Sequence, residues 1–202
     1  MSVIDPMQTA DTAQRMRHAA LHLFARHGYA AVSMRQIAAE VGVHVGGLYN
    51  HIADKQALLF SLLSEHMTEL LQAVAAEDLP AEPMAALEGF TRFHIRHHAA
   101  RPEAVFISYM ELRNLTEANF ALLDEQRKAY EARLRLILEA GQADGAMRMA
   151  DARIATRAII AMLTGITTWF RDSGDQSLAE IEAIYWEMVR RLVAAQDGLV
   201  TG

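Results

Sequence analysis

The stretch from Ser33 to Leu59, SMRQIAAEVGVHVGGLYNHIADKQALL, constrains the fold of this chain more than any other. Ser33 and Gln36 have the spacing of a capping box, in which the serine side chain accepts the Gln36 N–H, so a helix is expected to begin there. Gly42 predicts the turn that ends this helix, because glycine adopts the left-handed conformation of a helix C-terminus without strain. A second short helix and a third that begins after Asp54 complete the pattern. Two short helices joined by a glycine turn favour a helix-turn-helix, although the spacing alone also fits a plain helical hairpin.

The same stretch resembles a known DNA-binding signature. The run from Gly42 to Leu59 is similar to the helix-turn-helix of the TetR family of bacterial transcriptional regulators, and so is the lead-in LFARHGY, from Leu23 to Tyr29. Together they cover residues 11–59 without a gap. The resemblance implies a three-helix DNA-binding head, residues 10–54, followed by a larger helical body for effector binding and dimerisation, residues 55–202.

Helical periodicity continues along the rest of the chain, and no segment reads as a strand. We therefore expect an all-α fold of about nine helices, with a linker at residues 77–83. Beyond the helix-turn-helix, helices are predicted at residues 10–27, 55–76, 83–100, 102–112, 116–140 (closed by Gly141), 152–171 (capped by Asp151) and 178–196 (opened by a capping box of Ser177 and Glu180).

Composition limits the classes of function. The 202 residues include no cysteine, which excludes disulfides, thiolate nucleophiles and cysteine-bound zinc. No signal-peptide pattern and no run of about 18 apolar residues is present, so a cytoplasmic protein without a membrane span is expected. The net charge is −6, but residues 11–60 carry five basic and three acidic side chains. A positive head on an acidic body suits a protein that presents one end to phosphates.

The resemblance assigns DNA contacts residue by residue. Base edges are expected to meet Arg35, Val45, Gly46 and Asn50, and phosphates are expected to meet Ser33, Tyr49, His51 and Lys55. The chemistry agrees, because arginine pairs with guanine, asparagine with adenine and a valine methyl with the thymine methyl. Tyrosine, histidine and lysine donate to phosphate oxygens and set register. Taken singly, Ser33 or His51 would be an ordinary cap or surface residue.

Two positions depart from the family pattern. Val45 stands where a polar or basic residue is common, and Gly47 stands where alanine or a small hydroxyl residue is usual. Gly46 and Gly47 each cost a helix interior about 1 kcal/mol relative to alanine. The recognition helix is therefore predicted to fray in the free protein and to become ordered on DNA.

The last two predicted helices have wide apolar faces. The final one carries Leu178, Ile181, Ile184, Tyr185, Met188, Val189 and Leu192. Such faces fit either the core of a monomer or a four-helix bundle formed with a second subunit. The resemblance favours the homodimer, since TetR-like regulators pair through these two helices. Two-fold symmetry in turn implies a palindromic operator on double-stranded DNA.

Large apolar side chains in the body suggest an effector site. Most aromatic residues at helical spacing belong to a core, but the resemblance implies that some line a cavity, for which the candidates are Phe93, Phe106, Tyr109, Met110, Met162 and Trp169. The runs SYMELR, DEQRKAYE and TGITTWFR, within residues 108–171, resemble regulators that respond to acyl-CoA thioesters. Phosphates of such a ligand would meet arginines such as Arg96, Arg113, Arg157 and Arg171, which otherwise form surface ion pairs.

No metal site or cofactor is expected. His94 and His98 are one helical turn apart, but a third ligand is missing and the run RFHIRHHAAR is interpreted as a solvated face. No nucleophile–base order, HExxH, P-loop or GxGxxG suggests an enzyme.

The sequence thus predicts a ligand-responsive transcriptional repressor, released from DNA by a small apolar effector, of which an acyl-CoA is one candidate. The alternative is a TetR-like regulator of efflux or stress genes that senses hydrophobic drugs or other small molecules. Outside this class stands a helical protein–protein interaction module without DNA binding.

Overall fold

The computed structural model describes the backbone of residues 6–171 and 173–194, with side chains from Asp11 onward. This part of the chain forms nine α-helices and has no strand, only an isolated bridge between Met147 and Ala194. The prediction of an all-α fold is confirmed. The helices are α1 (Pro6–His27), α2 (Met34–Val41), α3 (Val45–Leu48), α4 (Lys55–Ala76), α5 (Pro83–Ala99), α6 (Pro102–Met110), α7 (Glu117–Ala143), α8 (Ala152–Thr164) and α9 (Leu178–Val193). None of them combines the length and apolar character that a bilayer crossing needs.

The contacts within the chain divide it into two compact units. The first unit contains the described residues up to Thr68 together with Glu103–Glu125, and the second contains Glu69–Pro102 together with the described residues from Gln126 onward. The predicted division between residues 54 and 55 falls within the first unit.

Short-range signals predict the N-terminal helices correctly. Ser33 caps α2 through the expected box: its Oγ accepts the Gln36 N–H, and Gln36 Oε1 accepts the Ser33 N–H at 2.8 Å. Gly42 ends α2 in the left-handed conformation, with φ 76°, and Asp54 Oδ1 accepts the Ala57 N–H at the start of α4. The core beneath these caps consists of Met16, Ala20, Phe24, Ile37, Val41 and Leu48.

Two predicted helix ends are wrong. α7 runs through Gly141 to Ala143, because Gly141 serves close packing: a Cβ there would lie 2.6 Å from Met147 Sδ. The chain turns at Gly145 instead, where φ is 82°. α8 ends at Thr164 and a 3-10 turn, Gly165–Thr168, replaces its predicted last turns. The predicted end of α9 at Gln196 lies outside the described residues.

The interpretation of the histidine-rich run on α5 as a solvated face is also wrong. His94, His97 and His98 are all buried within the second unit. His94 Nδ1 hydrogen-bonds Tyr130 Oη at 2.8 Å on α7, and its Nε2 hydrogen-bonds Thr164 Oγ1 at 3.0 Å on α8. These partners satisfy both ring nitrogens, so the imidazole can be buried at little cost. Among the described residues no group of three or more acidic or histidine side chains could hold a metal ion.

Candidate DNA-binding site

The helix-turn-helix is formed by α2, the Gly42 turn and α3. The Val43 N–H donates to the Ala38 carbonyl at 3.0 Å, which closes the end of α2. His44 then caps α3, with Nδ1 accepting the Gly46 N–H at 3.2 Å. α3 itself has only four residues, and hydrogen-bonded turns continue from it as far as Ile52. The buried side chain of Leu48 attaches α3 to the core.

A shallow exposed groove runs along this motif. It brings together five of the eight residues expected to contact DNA: Ser33, Arg35, Val45, Tyr49 and Lys55. They come from the start of α2, from α3 and the turn after it, and from the start of α4, so residues up to 22 positions apart share one surface. Of the other three, Gly46 and Asn50 are exposed and His51 is half-buried, and they do not line the groove.

The side chains of the groove differ in how they are held. Tyr49 is 51% exposed and Arg35 is also exposed, so both are accessible to a nucleic acid. Ser33 has its hydroxyl in the capping box. Lys55 Nζ lies 4.1 Å from the centre of the Tyr29 ring, a cation–π distance. Burial lowers the pKa of Lys55, and the negative charge of Glu111 opposes that shift.

The glycines of α3 leave its outer surface bare. A Cβ at Gly47 would meet nothing within 4 Å, and one at Gly46 would meet only the His44 ring, at 3.4 Å. Fraying of this helix in the absence of DNA stays a prediction.

Two contacts that position the motif were missed by the sequence analysis. Arg15 on α1 donates to the carbonyl of Val41 at the end of α2, which attaches the two helices to each other. Glu111, 82 residues from Tyr29, accepts that residue's backbone N–H at 3.1 Å. Local sequence patterns do not predict such contacts, because the two partners are distant in the sequence.

The predicted effector residues fall in both units. Phe106, Tyr109 and Met110 lie on α6 in the first unit with their side chains exposed, at the i, i+3, i+4 spacing of one helix face. In the second unit Phe93 is buried beside His97, Met162 is half-buried, and exposed Trp169 stacks on Tyr185 with ring centres 6.4 Å apart. Arg96 and Arg157 form ion pairs with Glu182 and Glu131, at 3.6 and 3.5 Å.

A glycine turn between two short helices, a capped recognition helix and an exposed groove with basic and hydroxyl side chains define a helix-turn-helix protein of the DNA-binding class. Comparison with known proteins places the chain within that class. Residues 17–62 match the family model described as bacterial regulatory proteins, tetR family, and residues 80–193 match the one described as tetracyclin repressor-like, C-terminal domain. The chain belongs to the TetR family of bacterial transcriptional regulators.

Individual relatives agree with this assignment. The HTH-type transcriptional repressor KstR2 of Rhodococcus jostii strain RHA1 is 26% identical over 172 residues, which cover 83% of each chain. A solved bacterial regulatory protein of the tetR family from Rhodococcus RHA1 has a TM-score of 0.86 at 29% identity, covering 92% of this chain and 98% of that one. AibR, solved with isovaleryl coenzyme A and operator DNA, shares the fold with a TM-score of 0.81 at 24% identity, covering 88% and 97%. The first is named as a transcriptional repressor and the second as a regulatory protein.

Proposed function

We propose that this protein is a dimeric transcriptional repressor that binds a palindromic operator through the groove of its helix-turn-helix and is released by a small effector. The observation that carries the proposal is the groove, which joins Ser33, Arg35, Val45, Tyr49 and Lys55 on one exposed surface. In the proposed complex Arg35 and Asn50 read base edges, while Tyr49 and Lys55 donate to phosphate oxygens.

A dimer is supported by the apolar surface of the last two helices. Ile184, Met188 and Leu192 follow one another at i+4 spacing along α9, and all three are exposed. Ile154 on α8 is exposed as well, whereas Ile181 is buried within the chain. Exposed apolar stripes of this kind are typical of interfaces. A two-fold dimer would present two recognition helices to two half-sites on one duplex.

For the effector we propose an acyl-CoA. AibR, which shares this fold, was solved with isovaleryl coenzyme A. Exposed apolar residues on α6 in the first unit, and separately Trp169 in the second, are candidates for contact with an acyl chain. In this proposal the effector binds preferentially to a state in which the two heads do not match the half-site spacing, so that it releases DNA by differential affinity. A regulator of efflux or stress genes that senses hydrophobic drugs is the competing proposal.

The DNA interface is tested by Tyr49→Phe and Lys55→Ala. We expect both variants to keep the fold and to bind weaker to a duplex from the region upstream of the chain's own gene. Since Lys55 would neutralise one phosphate per subunit at most, its loss should reduce the slope of log K against log salt by up to about 0.9 per half-site. Fluorescence anisotropy over a salt series measures both quantities.

The chain offers a matched control, because Lys128 is its other lysine and lies on α7 in the second unit. Lys128→Ala should leave affinity and slope unchanged. If Tyr49→Phe and Lys55→Ala also bind like the unmodified protein, the groove is not the DNA interface. If the unmodified protein itself does not bind DNA, a helical protein–protein interaction module is favoured instead.

The effector is tested with Trp186→Phe, which leaves Trp169 as the sole tryptophan. Long-chain or cyclic acyl-CoAs should change its emission and release DNA over one concentration range, whereas the free acids lack the phosphates that arginine would bind. If free acids or neutral hydrophobic drugs release DNA as effectively as the thioesters do, the acyl-CoA proposal is excluded. The proposed operator interface is not affected by that result.

A further inference from the structure

Glu111, directly after α6, is a buried carboxylate that belongs to no part of the proposed DNA groove. It is only 5% exposed. Its Oε1 accepts the backbone N–H of Tyr29 at 3.1 Å, and its Oε2 accepts the side-chain N–H of Asn114 at 2.5 Å. Burying a carboxylate costs free energy of folding unless hydrogen-bond donors satisfy it, as these two do.

The turn that Glu111 holds leads directly into the DNA-binding motif. Gly28, with φ 81°, ends α1, and four residues later Ser33 caps α2. A Cβ on Gly28 would lie 3.6 Å from Glu111 Oε1, so the carboxylate packs against the turn. Tyr29 packs edge-on against Phe24, with ring centres 5.3 Å apart. Glu111 therefore fixes the backbone from which α2 departs.

Glu111 also acts on Lys55 through its charge. Lys55 lines the groove, and its Nζ lies over the same Tyr29 whose N–H Glu111 accepts. The negative charge of Glu111 favours the protonated lysine and offsets the effect of burial on its pKa. The Tyr29 ring holds Nζ at 4.1 Å, and the attraction of the nearby carboxylate for the ammonium group opposes its extension towards a phosphate.

Neighbouring contacts reinforce this connection within the first unit. Gln56, next to Lys55 in α4, donates to the Asn114 carbonyl at 2.6 Å and accepts the Thr116 N–H at 3.3 Å. The segment after α6 is thus bonded both to Tyr29, through Glu111, and to Gln56, the neighbour of Lys55.

We propose that Glu111 is a positioning residue for operator binding: its carboxylate orders the Gly28–Tyr29 turn and restrains Lys55, so that it sets both the affinity for DNA and the dependence of that affinity on salt. The inference rests on the proposed role of Lys55 as a phosphate contact. It assigns Glu111 two separable effects, one that needs a hydrogen-bond acceptor and one that needs a negative charge.

The variant Glu111→Gln separates them. A glutamine amide keeps an oxygen for the Tyr29 N–H, and its nitrogen can donate to Asn114 once that side chain is flipped, so the turn is preserved without the charge. We expect Glu111→Gln to bind the upstream duplex about fivefold more tightly at low salt. The slope of log K against log salt should become steeper, but by less than about 0.9 per half-site, because Lys55 neutralises at most one phosphate. Glu111→Ala also lacks the acceptor, and it should bind about tenfold more weakly than Glu111→Gln.

Controls make the two proposals distinguishable. Glu103→Gln removes a carboxylate of α6 that pairs with His22 at 2.8 Å on the exposed surface, and it should change neither quantity. In a Lys55→Ala background, Glu111→Gln should no longer alter the slope. If Lys55→Ala weakens binding but Glu111→Gln matches the unmodified protein, the role of Glu111 is refuted and the groove stands. If neither Lys55→Ala nor Tyr49→Phe has an effect, the proposed interface and this inference both fail.

Discussion

The substitution Met188→Glu tests the proposed dimer most directly. Met188 lies in the middle of the apolar stripe of α9, between Ile184 and Leu192, and is 49% exposed in the single chain. The substitution Met188→Glu therefore leaves the core of the protomer intact and alters only what packs on the stripe.

The loss of dimerisation free energy follows from the apolar surface of Met188 and from the charge of the new side chain. Full burial of a methionine side chain contributes roughly 1.5–3 kcal/mol, and about half of it remains for a partner to provide. Two-fold symmetry counts this loss twice, about 2 kcal/mol per dimer. An unpaired carboxylate at an interface costs about 3 kcal/mol or more, and the symmetric dimer would hold two of them. The combined cost of about 8 kcal/mol weakens dimerisation by a factor of about 10⁵ or more.

Sedimentation velocity at micromolar concentration should show a monomer for Met188→Glu, with operator binding lost in parallel. Leu136→Glu is the matched control, since Leu136 on α7 is 59% exposed and lies in the same unit. That variant should remain dimeric. A Met188→Glu protein that sediments as a dimer would show that this stripe does not form the interface.

Two further predictions concern stability. The pKa of His97 is lowered to about 4 by burial and then by the charge of Arg101, so in the pH range between about 4 and 6.5 the unfolded chain binds more protons. Stability is complete above pH 6.5 and falls as the pH drops towards 4; urea titrations should show a loss of about 2 kcal/mol from pH 7.5 to pH 5. This loss should shrink in His97→Gln, and an equal loss in both proteins would exclude His97 as the source. Gly42→Ala places a Cβ on a residue with φ 76° in otherwise open space, so thermal unfolding should show a destabilisation of about 1 kcal/mol from backbone strain alone. The control Gly47→Ala, in a helix, should not destabilise, and an unchanged melting temperature for Gly42→Ala would refute the strain argument.

Features encoded by neighbouring residues were predictable from the sequence. The capping box depends on Ser33 and Gln36, three residues apart, and the turn depends on the conformational freedom of Gly42 itself. Both occur as predicted. Helix type was equally accessible, because apolar periodicity extends over many residues.

Features that depend on which faces pack together were not accessible. His94 lies in the charged run RFHIRHHAAR, which is typical of a solvated face. Its burial is tolerable because its ring nitrogens hydrogen-bond Tyr130 and Thr164, which are 36 and 70 residues away. Glu111 likewise gains its meaning from Tyr29, 82 residues away. The glycine at 141 looked like a helix end, since the sequence does not show that Met147 folds back over it.

The bare outer surface of α3 has an evolutionary consequence. Leu48 is the buried side chain of this helix, whereas a Cβ introduced at position 47 would meet nothing within 4 Å. An alanine there requires no repacking of the core, and replacing a helical glycine also favours the folded state. In the proposed DNA complex, a duplicated gene could therefore gain a new side chain on α3 through a single codon at position 47, without first acquiring a compensating mutation in the core.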